Sequence, residues 1–411
     1  MFLWIGLPNY LFNDYLSTPI TKGIIEVDND IIYMDNHATT PIAPEVLDAM
    51  MPYLTTHFGN AASSHLYGTK AKDGVNKARQ QVANLLGCSP EEIVFTSGAT
   101  ESDNLAIRGT AYSQKSNGNH IITSTAEHHA VLDTCHVLEK EGFETTYLPV
   151  DRYGMVNPDD VAAAITSKTI LITIIYANNE VGTINPIREI ADIASKHGVP
   201  FHSDAVQGVG KLESDMDVLG LDMASITAHK IYGPKGVGAL YNRTGNPLHP
   251  LSYGGGQENG IRSGTLNVAG IVGLGAACET SQLAMTNRIE IEHVKPLRDR
   301  LHEKLTSQLP DVHLNGHPEK RLQGNLNVSF RGVQSQSLLT GLKTVAVSTG
   351  SACDSEAVKA SHVLTALGIP NELAFTAVRF GLGRYNTAAE TDVVADEVIK
   401  VVNQLRELMP D

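Results

Sequence analysis

The sequence predicts an α/β protein made of a large unit around a mostly parallel sheet and a smaller α+β unit. Three observations lead there. The chain has 411 residues, more than a single hydrophobic core usually serves. From about residue 44, short β-branched runs alternate with stretches of helical period, the pattern of a parallel sheet with helices on both faces. After Asn267 that alternation gives way to a long helical region and a second set of strands. Hydrophobic residues make up 42% and charged residues 18%, as in ordinary soluble enzymes.

In chain order, Met1 to Leu16 is rich in Phe, Leu, Trp and Tyr, is cut by Pro8, and has no Lys or Arg before Lys22. Signal and transit peptides carry basic residues there, so the segment reads as an N-terminal arm, residues 1–29, on a cytoplasmic protein. Its bland reading is a tail; a partner-binding or membrane-surface strip is the sharper one. Predicted strands follow at Glu92–Ser97, His120–Thr125, Thr145–Val150, Thr169–Ala177, Phe201–Asp204, in the apolar run before Thr227, and at Gly236–Asn242. Helical period occupies Ala71–Leu86, Ala130–Glu141 and Ile187–His197. The helical region from Asn267 to about Gln308 has a predicted break near Thr286. Beyond it come strands at Asn325–Phe330, Thr344–Ser348 and Ala377–Leu382 and a last helix, Ala388–Met409. The expected division is a large unit, 44–286, and a small one, 30–43 with 287–411. Outside the arm, no stretch approaches the roughly 20 unbroken apolar residues of a membrane span.

A formal charge of −14 and a pI near 5.6 disfavour nucleic-acid backbones and anionic membranes as partners. The four cysteines, Cys88, Cys135, Cys278 and Cys353, show neither metal-type spacing nor the density of a disulfide scaffold, which fits a reducing compartment. A conspicuous cysteine is therefore a candidate thiol.

Chemistry concentrates in five places. In Thr227-Ala-His-Lys230, a lysine follows an apolar strand, placed for Schiff-base chemistry if its ammonium is desolvated. Upstream, the strand Phe201–Asp204 ends in an acid that can pair with a pyridinium nitrogen, although alone it would as often be a cap or turn residue. Lys230 and Asp204 together suggest pyridoxal phosphate. Ser97-Gly-Ala-Thr100 opens a helix after a strand, which is either a phosphate site or a plain capped helix start. The run from Gly254 to Thr265 is a shaped loop, polar through Arg262, Ser263 and Thr265. Lastly, Cys353 lies in Gly350-Ser-Ala-Cys-Asp-Ser355, small residues that predict an exposed, mobile loop. Asp354 raises a neighbouring thiol's pKa, so Cys353 must draw its reactivity from the site it visits. The other three cysteines read as core.

With these residues assembled, the sequence resembles the NifS/IscS class of cysteine desulfurases, pyridoxal-phosphate enzymes of fold type I. The likeness runs from Ile31 to about Leu408. It rests on Asp35-Asn-His-Ala-Thr-Thr-Pro41, Ser97 to Asn104, Glu127-His128, Asn178-Asn-Glu-Val-Gly182, the Asp204 and Lys230 loops, Arg262 to Thr265, Gly350 to Cys353 and Val378-Arg-Phe380. The resemblance implies a seven-stranded sheet in the large unit. It implies that Lys230 carries the cofactor and moves the substrate Cα proton, that His128 stacks on the ring and shuttles protons, and that Asp204 holds the pyridine nitrogen. Gln207 and Asn179 would lie near the ring hydroxyl; Ala99, Thr100, Thr227 and His229 would hold the phosphate. Thr265 would reach the phosphate of a neighbouring subunit, so a homodimer is expected. Arg379 would grip the carboxylate of L-cysteine, with Asn36 and Asn179 beside it. The class more often has serine at the position of Thr227, and both residues carry a hydroxyl. The chain ends at Asp411, soon after the last helix, where the class carries a further scaffold-docking tail.

The implied activity converts L-cysteine to L-alanine and leaves a persulfide on Cys353 for an acceptor such as an iron–sulfur scaffold or a sulfur carrier. Transamination on the same scaffold needs no thiol loop; a selenocysteine lyase would use many of the same contacts. A non-catalytic scaffold subunit has no physical need for a perturbed lysine or an exposed thiol.

Overall fold

The computed structural model describes residues 31–349 and 360–408. Twelve strands occur among them: β1 (Ile32–Tyr33), β2 (Ile93–Thr96), β3 (His120–Ser124), β4 (Glu144–Leu148), β5 (Thr169–Thr173), β6 (Phe201–Asp204), β7 (Met223–Thr227), β8 (Gly238–Asn242), β9 (Val312–Asn315), β10 (Asn325–Phe330), β11 (Val345–Ala346) and β12 (Ala377–Gly381). The main sheet has seven strands in the order β2-β8-β7-β6-β5-β3-β4. β8 runs antiparallel to both its neighbours, and the other pairs are parallel.

Strand alternation distributes the core over the two faces. Ile122, Ile172, Ala224 and Ala239 enter one apolar cluster, while their neighbours Ile121, Leu171, Met223 and Leu240 enter another on the opposite side. Helices Ala99–Ser113 and His129–Lys140 supply the second cluster. Leu66–Leu86 and Val268–Thr286 pack closely together in the first: a Cβ on Gly275 would stand 2.6 Å from the Ala78 Cα. Val268–Thr286 has the length and apolarity of a membrane span, yet 56% of its most apolar window is buried inside the molecule, as in a core helix.

The small sheet differs from the sequence expectation. Its three antiparallel strands are β12-β10-β9. β9, with two polar residues in four, is too short to register as a periodic run. The run Thr344–Ser348 lies elsewhere, because β11 pairs in parallel with β1 and Ser348 bridges to Arg379. Two main-sheet strands stop earlier than expected: Val150 and Ala177 form only isolated bridges as the chain turns. The helical break near Thr286 is present. Val268–Thr286 ends there, Arg288 takes a positive φ of 54°, and a π-helical turn, Glu290–Val294, leads into Lys295–Gln308. Helix Ala388–Glu407 starts at a reciprocal capping box between Thr387 and Glu390.

Candidate active site

The parallel direction of β2, β3, β5, β6 and β7 brings their carboxyl ends to one edge of the sheet, where α/β proteins bind ligands. Gly98 follows β2, His128 follows β3, Asn178 and Asn179 follow β5, Asp204 ends β6 and Lys230 follows β7. Motifs scattered through the sequence therefore meet along a single edge.

Lys230 closes a single 3-10 turn, Ala228–Lys230. Its Nζ donates to the His37 carbonyl and, at 2.8 Å, to the Ala38 carbonyl. The Gln207 amide donates to the same His37 carbonyl at 2.9 Å, and its Oε1 stands 3.1 Å from His37 Nδ1. Asp204 is 5% exposed and accepts the Val206 N–H at 3.1 Å. Burial raises its pKa, while His128, the Val206 N–H and Lys230 act against that rise. His128 caps helix His129–Lys140, its Nδ1 accepting the Ala130 N–H at 3.1 Å, so the neutral ring carries its proton on Nε2. Burial lowers the His128 pKa, partly offset by Asp204. His128 shares a cleft of about 340 Å³ with Thr100, Asn104, Arg108 and His129.

The helix start after β2 depends on close backbone approach. Gly98 adopts φ 155°, ψ −178°, a region almost confined to glycine. On β8, a Cβ at Gly238 would stand 2.5 Å from the Ile226 carbonyl oxygen and 2.8 Å from the Gly98 Cα. This packing brings Thr227 beside Gly98, while the Thr227 hydroxyl donates to the Val237 carbonyl at 3.2 Å. Ala99 and Thr100 form the first turn of helix Ala99–Ser113, with Thr100 exposed. Glu101 in that turn accepts the Ser97 N–H and pairs bidentately with Arg262 at 2.7 and 3.2 Å, tying the 254–265 loop to the helix start. His229 Nδ1 lies 3.2 Å from the Thr39 hydroxyl, and burial lowers its pKa to about 4. Thr265 is exposed.

Arg379 on β12 is 3% exposed. One terminal nitrogen donates to Asp35 at 2.9 Å and the other to the Asn179 carbonyl at 3.0 Å, while Nε is buried without a protein partner. Asn179 therefore enters through its backbone, and the neighbouring Asn178 side chain holds the turn by accepting the Glu180 and Val181 N–H groups. The Asn36 amide donates to the Gly381 carbonyl at 2.8 Å, locking residues 35–37 against β12.

Cys353 and the loop around it, with the N-terminal arm, lie outside the described residues. The other cysteines are core or near-core thiols. Cys135 and Cys278 are fully buried, and burial pushes Cys88 and Cys135 up to about 12 and Cys278 further. Sequence reading passed over Asp35 as the Arg379 counter-ion and His37 as the holder of Lys230 and Gln207. Both stand in the quoted Asp35–Pro41 run, which was their only signal. It also gave no role to Asp103 and Glu127, buried acids whose pKa is raised by burial and, to a lesser degree, by the Asp204 charge.

These residues fit pyridoxal phosphate by their donor chemistry. A buried carboxylate such as Asp204 calls for a cationic partner, and a protonated pyridine nitrogen is one. Lys230 sits one strand away for the aldehyde, and the glycine-shaped helix start beside Thr227 presents backbone N–H groups suited to a phosphate. The unpartnered Nε of buried Arg379 suits a substrate carboxylate.

Comparison with known proteins gives a consistent result. The model of the aminotransferase class-V family matches residues 32–394. A cysteine desulfurase IscS of Methanosarcina thermophila is 49% identical over 390 residues, covering 94% of this chain and 95% of that protein. Among solved structures, a NifS-like protein aligns with a TM-score of 0.85 at 37% identity, over 91% of this chain and all of the other. SspA in complex with cysteine aligns with a TM-score of 0.76 at 38% identity, over 86% of this chain and 99% of the other.

Proposed function

The chain belongs to the class-V aminotransferase family and is a pyridoxal-phosphate-dependent cysteine desulfurase, and from that premise we propose how its residues divide the work. The observation that carries the assignment is the pairing of Lys230 and buried Asp204 at the ends of adjacent parallel strands. When bound, pyridoxal phosphate supplies an electron sink for the bond broken at the substrate Cα. Lys230 would hold the cofactor aldehyde and carry the Cα proton. Asp204 would keep the ring nitrogen protonated. Gln207 and Asn179 would lie near the ring hydroxyl, and Ala99, Thr100, Thr227 and His229 would hold the phosphate. His128, its proton on Nε2, would pack on the ring and relay protons. Arg379 takes the substrate carboxylate through its unpartnered Nε edge, with Asn36 keeping residues 35–37 in register behind it.

Cys353 is the sulfur acceptor. Its thiolate takes the sulfur of L-cysteine: the C–S bond breaks, an S–S bond forms, and the thiol proton ends on L-alanine. Atoms and electrons balance without an external oxidant. Thr265 completes the phosphate site of a second copy, so the working unit is a homodimer, and the persulfide passes to an iron–sulfur scaffold or a sulfur-carrier protein. The separate apolar clusters around the main and small sheets support the division into 44–286 and 30–43 with 287–411.

The test is Lys230→Ala. The variant is expected to fold, to lose the visible absorption of the lysine-bound cofactor and to release no alanine from cysteine. Retained turnover would refute the assignment.

A further inference from the structure

A small cavity of about 10 Å³, room for the centre of one water molecule, lies where the two sheet systems meet. Its lining combines Asn36, His37 and Thr40 with Lys211 and Tyr232 of the large unit, Glu290 of the π-helical turn, and Gly324 and Leu382 of the small unit. His37 is 3% exposed, and its Nε2 has no protein partner. Burial lowers the Lys211 pKa and raises that of Glu290; their mutual attraction opposes both shifts, Arg384 beside them adds to the first and opposes the second, and among the described residues no direct hydrogen bond joins Lys211 to Glu290.

The hydrogen-bond network fixes what the cavity must accept. Because the Gln207 amide N–H donates to the His37 carbonyl, its Oε1 is the atom facing His37 Nδ1, so Nδ1 is the donor. Burial and nearby cations keep the His37 ring neutral. Nε2 is then a bare lone pair that needs an O–H or N–H. A water molecule meets every demand at once. It would give one hydrogen to His37 Nε2 and the other to Glu290, and would accept from Lys211. Lys211 Nζ also reaches Gln207 Oε1 at 3.4 Å, and the His37 carbonyl holds both Gln207 and Lys230.

We propose that one ordered water bound by His37, Lys211 and Glu290 couples the π-helical turn of the small unit to the carbonyl that anchors Lys230, making Lys211 and Glu290 positioning residues for that lysine. The coupling to Lys230 rests on the functional reading above; the water site does not. The π turn and the positive φ of Arg288 are the local distortion that places Glu290 at this junction.

Two measurements test it. A high-resolution crystal structure should show one water within hydrogen-bond distance of His37 Nε2, Glu290 and Lys211; an apolar void or a direct Lys211–Glu290 contact there would overturn the site. The variants Lys211→Met, Glu290→Gln and the pair together are then compared as holoenzymes by the pH midpoint of their visible absorbance. Removing the cation at Lys211 should raise that midpoint, removing the anion at Glu290 should lower it, and the pair should return close to the parent. Each single variant should lower kcat about tenfold with KM for cysteine within about twofold, an expected scale for lost positioning. Midpoints that stay fixed, or that move together with a general loss of Tm, would reduce both residues to structural supports. If instead Lys230→Ala keeps its activity, the functional reading fails while the water site stands.

Discussion

Arg379 shows how a side chain is prepared for a ligand by its surroundings. Asp35 and the Asn179 carbonyl take up its two terminal nitrogens and fix the plane of the guanidinium, with Nε buried and without a protein partner. Lysine offers a point charge with no such fork. Arg379→Lys is therefore expected to raise KM for cysteine about 10- to 100-fold, the equivalent of about 1.5–3 kcal/mol for a hydrogen bond to a charged group, with cofactor content unchanged; steady-state kinetics and the visible spectrum check both. Asp35 was illegible as its partner because 344 residues separate the two in sequence. His37 escaped for a different reason. Its hold on Lys230 runs through a backbone carbonyl, which any residue type carries. The placement of Lys230 and Asp204 at the sheet edge was legible because each follows or ends an apolar run.

At the scale of elements, the packing of β8 against the helix start after β2 decides where a phosphate would sit. Gly238→Ala places a methyl group against two backbone segments that cannot rotate away. The expected cost is about 1–3 kcal/mol, the usual range for overpacking, read as a lower Tm of the apoprotein. Because the displaced partner is Gly98, the variant should also bind pyridoxal phosphate more weakly in equilibrium dialysis. A lower Tm with unchanged affinity would separate the packing from the site. Elements bounded by turn residues were read closely from the sequence, as with Phe201–Asp204 between Pro200 and the turn at Ala205, and Ile187–His197 between Pro186 and Gly198. Errors arose where β-branched character outran pairing, at Val150 and Ala177, and where a strand was too short to show a period, at β9.

For the molecule as a whole, stability against pH follows from which buried groups stay neutral. His202 is fully buried, with its pKa lowered to about 3, and His229 is lowered to about 4, both by desolvation. A histidine with a depressed folded-state pKa binds fewer protons folded than unfolded, so stability falls as pH drops from about 6.5 toward those values. Glu127, raised by burial to about 8, acts in the opposite sense: the folded state keeps its proton longer, and stability falls as pH rises from about 4.5 to 8. Tm of the apoprotein should therefore fall on the acid side below about pH 6.5, where the histidines outweigh Glu127, and Glu127→Gln should steepen that acid-side fall and flatten the decline between about pH 6.5 and 8. An unchanged slope in that variant would assign the decline to other groups. The central claim joins two parts of the chain, the Lys230–Asp204 pair at the sheet edge and the thiol of Cys353, into one sulfur-transfer cycle. The most direct test is a single turnover with sulfur-labelled L-cysteine followed by peptide mapping under non-reducing conditions, run on the parent enzyme and on Cys353→Ala. The account predicts one extra sulfur on the Cys353 peptide of the parent, with cofactor still bound but no protein-bound sulfur in the variant. Label on another cysteine, or full sulfide release by Cys353→Ala, would contradict it.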